Sequence, residues 1–265
     1  MGTRRYTTVC GFFLQDDPES NELPPRFGLK DDNDDRWVKF KGEIEQLNAS
    51  APSGTQYKVV FLGRHGEGYH NVAMKKYTVE ACRITTFWSK LDGDGELVWG
   101  PDPDLTNLGV EQAKDANCTW KTELEYGIPL PEKLYSSPMR RAIKTNQVTF
   151  EGVLRPSLKT TIVENTRERN GVSTCDKRRK KSEIASDFPD YPFEEGFIEE
   201  DEIWDPDVRE TFEEVDVRAK KVLDMIFDKD EEQFISITSH YRFIDAFRRV
   251  CGHLPWDLPT GGEYL

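Results

Sequence analysis

The chain has 265 residues, of which 36% are apolar and 11% aromatic. That is enough for one large domain with a full core, and too apolar for a disordered chain. Its 36 basic and 49 acidic residues leave a formal net charge of −13, which repels nucleic acid and anionic membrane surfaces.

Residues 1–55 read as an N-terminal extension, expected to pack on the main domain or to fill part of a cleft entrance. The extension holds a short apolar run, Val9–Leu14, cut off by Gln15, Asp16 and Asp17, so no secretory signal is expected in it. The acidic loop Asp31–Asp35 precedes Arg36–Leu47, whose spacing predicts one amphipathic helix. Residues 48–55 read as a linker. The catalytic domain, 56–265, opens with the β-branched apolar run Tyr57–Gly63, a buried strand. Arg64-His65-Gly66-Glu67-Gly68 follows where that strand ends, and residues 69–78 suit a helix. Leu91–Pro103 is loop. Thr106 caps a helix that runs towards Tyr126 and is stopped by Gly127, Pro129 and Pro131. Lys133–Ser136 is a second strand, and Ser137-Pro138 opens a helix with proline in its first position. Thr160–Glu164 is a third strand. Residues 165–210, irregular and rich in charge, form an inserted cap. Phe212–Phe227 is a helix with Val215, Ala219, Val222 and Ile226 on one face. Phe234–Thr238 is a fourth strand, and Tyr241–Val250 a last helix, ended by Gly252.

Strands alternating with helices imply a three-layer α/β fold, a mostly parallel central sheet with helices on both faces. Ligands in such sheets bind beyond the carboxyl ends of the strands. Those ends carry Arg64 and His65, Ser137 and Arg141, Glu164 to Glu168, and Ser239 and His240. The chain has four histidines, and two of them stand at this edge. A phosphoryl group needs fixed cations and N–H donors around its oxygens, and the planar fork of arginine binds two oxygens at once. Nearby cations keep an imidazole neutral and nucleophilic towards phosphorus, while a carboxylic acid must protonate the leaving alkoxide.

Five sequence elements carry a family resemblance: Arg64-His65-Gly66-Glu67, Leu105-Thr106 with Gly109, Gln112 and Ala113, Ser137 with Arg141-Ala142, Thr166-Arg167-Glu168, and Thr238-Ser239-His240. In order and spacing, over roughly residues 56–255, they resemble the phosphoglycerate mutase-like branch of the histidine phosphatase superfamily. The continuation Gly68-Tyr69-His70-Asn71, the Cys175–Arg179 stretch and the extension look most like fungal phosphomutase-like proteins. The resemblance implies that His65 is the nucleophile and forms a phosphohistidine. It implies that Arg64, Arg141 and His240 hold the phosphate, that Asn71 contacts it, and that Glu168 is general acid and then base. Arg140, one residue from Arg141, points elsewhere on the helix. Tyr241 stands where the family usually has glycine and where another branch has a catalytic aspartate. A phenol with its ordinary pKa cannot replace that acid at neutral pH, which leaves the role to Glu168. His70 is read as support for the loop, and so are Glu67 and Gly68.

The activity implied is hydrolysis of a small-molecule phosphate monoester, a diphosphate ester being a variant. The rivals are a phosphomutase using the same residues and, more remotely, a phospho-ligand binding protein without catalysis. Lys177 and Arg178, in a run of five cations that also mimics a nuclear-import signal, are expected to help bind substrate. The acidic stretch Glu194–Glu202 is expected to neutralise this run when no substrate is bound. No metal or cofactor is expected. Five cysteines at no metal-ligand spacing suit free thiols in the reducing cytoplasm. Glycan-type triplets at Asn48 and Asn117 then read as chance.

Overall fold

The computed structural model describes residues 4–17, 25–77 and 87–261, and the backbone of 263–264. Residue 78, the end of one expected helix, and Cys82 lie outside the described residues. Four parallel strands, β1 (Val59–Arg64), β2 (Lys133–Ser136), β3 (Thr160–Ile162) and β4 (Phe234–Ser239), are joined by an antiparallel β5 (Glu263–Tyr264). Their order is β3-β2-β4-β1-β5. All six residues of β4, the central strand, are buried.

Strand side chains alternate between two cores, the period-2 signature of a sheet covered on both faces. On one face, Leu62, Ile235 and Ile237 pack against α6 (Phe212–Lys229) and α7 (Tyr241–Val250). On the other, Val59, Phe61 and Leu134 pack against Trp120 of α3 (Asn107–Leu124) and Trp37 and Phe40 of α1 (Arg36–Ala49). Helix α4 (Arg140–Thr149) lies beside α3 on this face, its Asn146 bonded to Thr238 of β4. The three-layer α/β arrangement read from the sequence is the observed one. Among the described residues no helix is long and apolar enough to cross a membrane.

The N-terminal residues join this body at two places. Helix α1 supplies core residues. Arg36 and Trp37 both reach Glu123 of α3, at 2.8 Å from Nε and 2.7 Å from Nε1, and all three are buried. Residues 4–8 bond instead to Asp228, Asp224 and Cys251 at the C-terminal ends of α6 and α7, at the edge of the sheet away from His65. Asn48, in the last turn of α1, binds both the N–H and the C=O of Tyr57. Asn117 is buried and donates to the carbonyls of Thr149 and Glu151. Both side chains are thus spent on structure.

Glu123→Ala strands a buried guanidinium and an indole N–H. Removing one partner of a buried ion pair costs about 3–5 kcal/mol, and a urea midpoint lowered accordingly is the expected result.

Two boundaries, and the content of one segment, differ from the sequence reading. Helix α4 begins at Arg140 with Met139 as N-cap, not at Ser137-Pro138. Ser137 stays with the sheet because its N–H bonds to the Thr238 carbonyl at 3.0 Å. Strand β3 stops at Ile162, because the cap takes over its pairing: Glu194 N–H bonds to the Ile162 carbonyl and the Glu194 carboxylate to Glu164 N–H. Residues 165–210 are also less irregular than expected, since α5 (Lys181–Asp187) lies within them. Ile184 of α5 is buried with Ile143 and Ile162, which fixes this segment to the body.

Candidate active site

Sheet register brings the site together. Arg64 pairs with Ser239 and Ser136 with Thr238, so β1, β2 and β4 end side by side. His65 N–H continues the ladder to the Ser239 carbonyl at 3.0 Å. Beyond it the chain turns into α2 (Tyr69–Lys76). This turn packs directly on α3: a Cβ on Gly66 would lie 2.2 Å from the Gly109 carbonyl oxygen, and one on Gly109 would lie 2.1 Å from the Glu67 carbonyl oxygen. Thr106 caps α3 through Gly109 N–H and also bonds to Glu67. Gly66→Ala should therefore cost about 3 kcal/mol by overpacking, read as a lower urea midpoint, because both contacts are backbone and cannot swing away.

His65 is 2% exposed. Its Nδ1 lies 2.7 Å from the Gly66 carbonyl. A carbonyl only accepts, so Nδ1 carries the proton and Nε2 keeps its lone pair. Burial, then Arg141, then Arg64 hold its pKa well below the usual imidazole range. The ring is therefore neutral at physiological pH. The His240 ring lies 4.9 Å away, centroid to centroid, and the His70 ring 5.3 Å away. Both are buried, and both are held neutral, first by burial and next by Arg141. His240 Nε2 is 2.8 Å from Ser137 Oγ. The hydroxyl has its proton to give there, which leaves Nδ1 of His240 as the N–H donor.

Arg141 is fully buried; it donates to the Cys175 carbonyl at 2.9 Å and approaches Asp176 at 3.4 Å. Arg64 donates to the Leu258 carbonyl and lies 5.0 Å from the Tyr241 ring. Four buried nitrogens here have no hydrogen-bond partner in the protein: Nε of Arg64, Nε of Arg141, Nδ1 of His70 and Nδ1 of His240. Buried polar atoms are rarely left so. All four belong to residues grouped about His65: the His240 and His70 rings stand beside it, and Arg141 and Arg64 are the cations that act on it most, which is what a site for an anion needs.

The Glu168 carboxylate rests on the N-terminus of α7, accepting from Arg242 N–H at 3.2 Å and from Arg169 N–H at 2.8 Å. Burial first, and Asp176 second, push its pKa up despite these two bonds. A carboxyl group that holds its proton higher than usual thus rests on the backbone of Arg242, two residues past His240. Tyr241 donates to Asp257 at 2.8 Å, and burial raises the pKa of its phenol further.

The other expected residues divide. Asn71 is at the start of α2, where its oxygen caps Gly68 N–H at 2.9 Å, so only its amide N–H groups are left to face a ligand. Lys177 is exposed, its ammonium 4.9 Å from the Trp204 ring. Arg178 is a correction. It is 2% exposed, and its five N–H groups go to the Glu164 carboxylate and the carbonyls of Arg179, Ile198, Glu199 and Glu200. None is left for substrate; Arg178 pins the acidic stretch in place. That stretch is built in: Asp201 pairs with buried Arg167 at 2.8 Å, and Glu200 with Lys180 at 2.7 Å. Arg140 points away and pairs with Asp187. Sequence reasoning set His70 aside as a loop residue; its one signal was a position at the start of a helix facing the strand end. It also passed over Arg242 and Arg209, the latter in a stretch with no periodicity at all.

Comparison with known proteins bears on this geometry. The model of the histidine phosphatase superfamily (branch 1) matches residues 85–260. This chain belongs to that superfamily. The matched range starts after Arg64 and His65, so the place of those two rests on the site geometry. A probable phosphoglycerate mutase of Arthroderma benhamiae is 41% identical, over 97% of this chain and 82% of that protein. Phosphomutase-like protein 3 of Candida albicans is 32% identical, over 97% and 78%. A probable phosphoglycerate mutase of Saccharomyces cerevisiae is 35% identical, over 82% and 81%.

Proposed function

We propose that this histidine phosphatase hydrolyses a small phosphate monoester through a phosphohistidine on His65. The observation that carries the reading is the set of unpartnered buried nitrogens around a neutral imidazole whose lone pair is on Nε2. The phosphoryl group is held by Arg64, Arg141 and the Nδ1–H of His240, with His70 beside them and Asn71 at the rim. Nε2 of His65 attacks phosphorus in line with the ester oxygen. The N–P bond forms, the P–O bond breaks, and Glu168 gives its proton to the departing alkoxide. Glu168, now ionised, takes a proton from water as that oxygen attacks phosphorus. The N–P bond breaks and inorganic phosphate leaves. Hydrogen-bonded arginines stabilise the equatorial oxygens at both steps.

The names of the relatives favour a second reading, a phosphomutase, in which a substrate hydroxyl replaces water at the second step. Product analysis separates the two. With a panel of phosphate monoesters, phosphatase action releases inorganic phosphate in step with the alcohol. A mutase instead moves label from a bisphosphate donor to a monophosphate acceptor and frees little phosphate. Neither product from any ester would sink both readings.

A further inference from the structure

The chain has four histidines, and three of them engage a ring nitrogen inside the protein. His65 Nδ1 is 2.7 Å from the Gly66 carbonyl, His253 Nδ1 is 2.7 Å from the Leu254 carbonyl, and His240 Nε2 is 2.8 Å from Ser137 Oγ. His70 engages neither nitrogen within the described residues, although it is only 8% exposed. Its Nδ1 is sealed from solvent. Buried polar atoms are normally paired. Packing alone does not call for a histidine here, since an apolar ring fills the same space with no polar atom to desolvate.

The chain makes room for this ring. A Cβ on Gly68 would lie 2.7 Å from His70 Nδ1 and 2.8 Å from its Cε1. The Nδ1–Cε1 edge therefore rests on the Gly68 backbone. Gly68 has a φ of −101°, which any residue adopts. Glycine is needed there for the space it leaves, not for the turn.

That seat decides where the proton sits. Burial, then Arg141, His65 and Arg64 keep the ring neutral, so it carries one N–H. On Nδ1 the proton would be buried against Gly68 with no acceptor, at the full desolvation penalty. Nε2 is neither bonded nor sealed, so the proton belongs there. Nε2 of His65 is also unbonded and unsealed, and the two rings are 5.3 Å apart, centroid to centroid. Two neighbouring imidazoles thus keep Nε2 open, one as a lone pair and the other as an N–H.

We propose that His70 is a further catalytic residue, whose Nε2–H donates to an oxygen of the phosphoryl group as it passes to His65. This rests on the phosphatase reading above and adds a fourth side chain to the hold on the transferring group. A neutral donor adds little to the arginines' attraction for the bound ester. It counts most when charge gathers on the equatorial oxygens during transfer.

The first test needs no turnover and no variant. In nitrogen-edited NMR of the wild type, assigned from the backbone of α2, His70 should be the Nε2–H tautomer. Its Nε2–H should move downfield when inorganic phosphate is added. A ring protonated on Nδ1, or an Nε2–H that ignores phosphate, overturns the proposal. The second test separates chemistry from packing. His70→Phe keeps a ring in the seat and removes the donor, so kcat for propyl phosphate should fall about 10²-fold with KM changed less than about threefold. His70→Gln restores a side-chain N–H near the Nε2 position and should recover about tenfold of that loss. No loss in His70→Phe, a loss in KM alone, or equal losses in the two variants overturns the catalytic role. If the wild type hydrolyses no ester while the His70 N–H still answers phosphate, the hydrolytic reading fails and the contact stands.

Discussion

His65→Ala is expected to lower phosphate release by about 10⁴-fold or more, the scale seen when a nucleophile is removed from a machinery that acts as a unit. Nothing else in the site can take over the attack. His240 is committed through Nε2 to Ser137, and its remaining nitrogen carries a proton. His70 is set off by 5.3 Å between ring centroids. Binding should survive, because the guanidiniums and the Nδ1–H of His240 remain, so the loss falls on kcat more than on KM. Acid-labile phosphate trapped on the wild-type chain should be missing from the variant. Release unchanged by the substitution would remove His65 from the chemistry. The same environment sets the acid limb of the pH profile. Protonation would silence Nε2, and burial with Arg141 and Arg64 pushes that protonation well below the usual imidazole range. Activity should therefore hold as pH falls through that range.

Much of this site could be read from the chain because the relevant signals are local. A β-branched run followed by Arg64-His65-Gly66 gives a strand end; Thr106 three residues before Gly109 gives a cap, and the cap bond is there. Phe212 to Lys229 shows its buried stripe in its spacing. The misreadings fall where a partner far along the chain decides. Ser137 looks like a helix start until Thr238, on another strand, takes its N–H. Arg178 looks like a substrate ligand in a run of cations. Only the folded chain brings Glu164 and the carbonyls of residues 198–200 around it.

Glu168→Gln should separate the two halves of the reaction. The amide keeps the shape and can still accept from the N–H groups of Arg169 and Arg242, but it has no proton to give and cannot take one from water. For an alkyl phosphate, whose alkoxide is a poor leaving group, loss of the general acid should cost about 10²–10⁴-fold in kcat. For 4-nitrophenyl phosphate the leaving phenolate needs no proton, so the first step should survive. Water attack on the phosphohistidine then lacks its base and becomes limiting. The expected trace is a burst of nitrophenol equal to the enzyme present, followed by slow turnover. Equal losses on both esters, with no burst, would assign the acid to another group. The pH dependence follows the same logic. A general acid works while protonated, so wild-type cleavage of the alkyl ester falls as pH rises through the pKa of Glu168. Burial and Asp176 raise that pKa, which carries the limb to higher pH than an exposed glutamate would allow, and the limb should vanish in the glutamine variant.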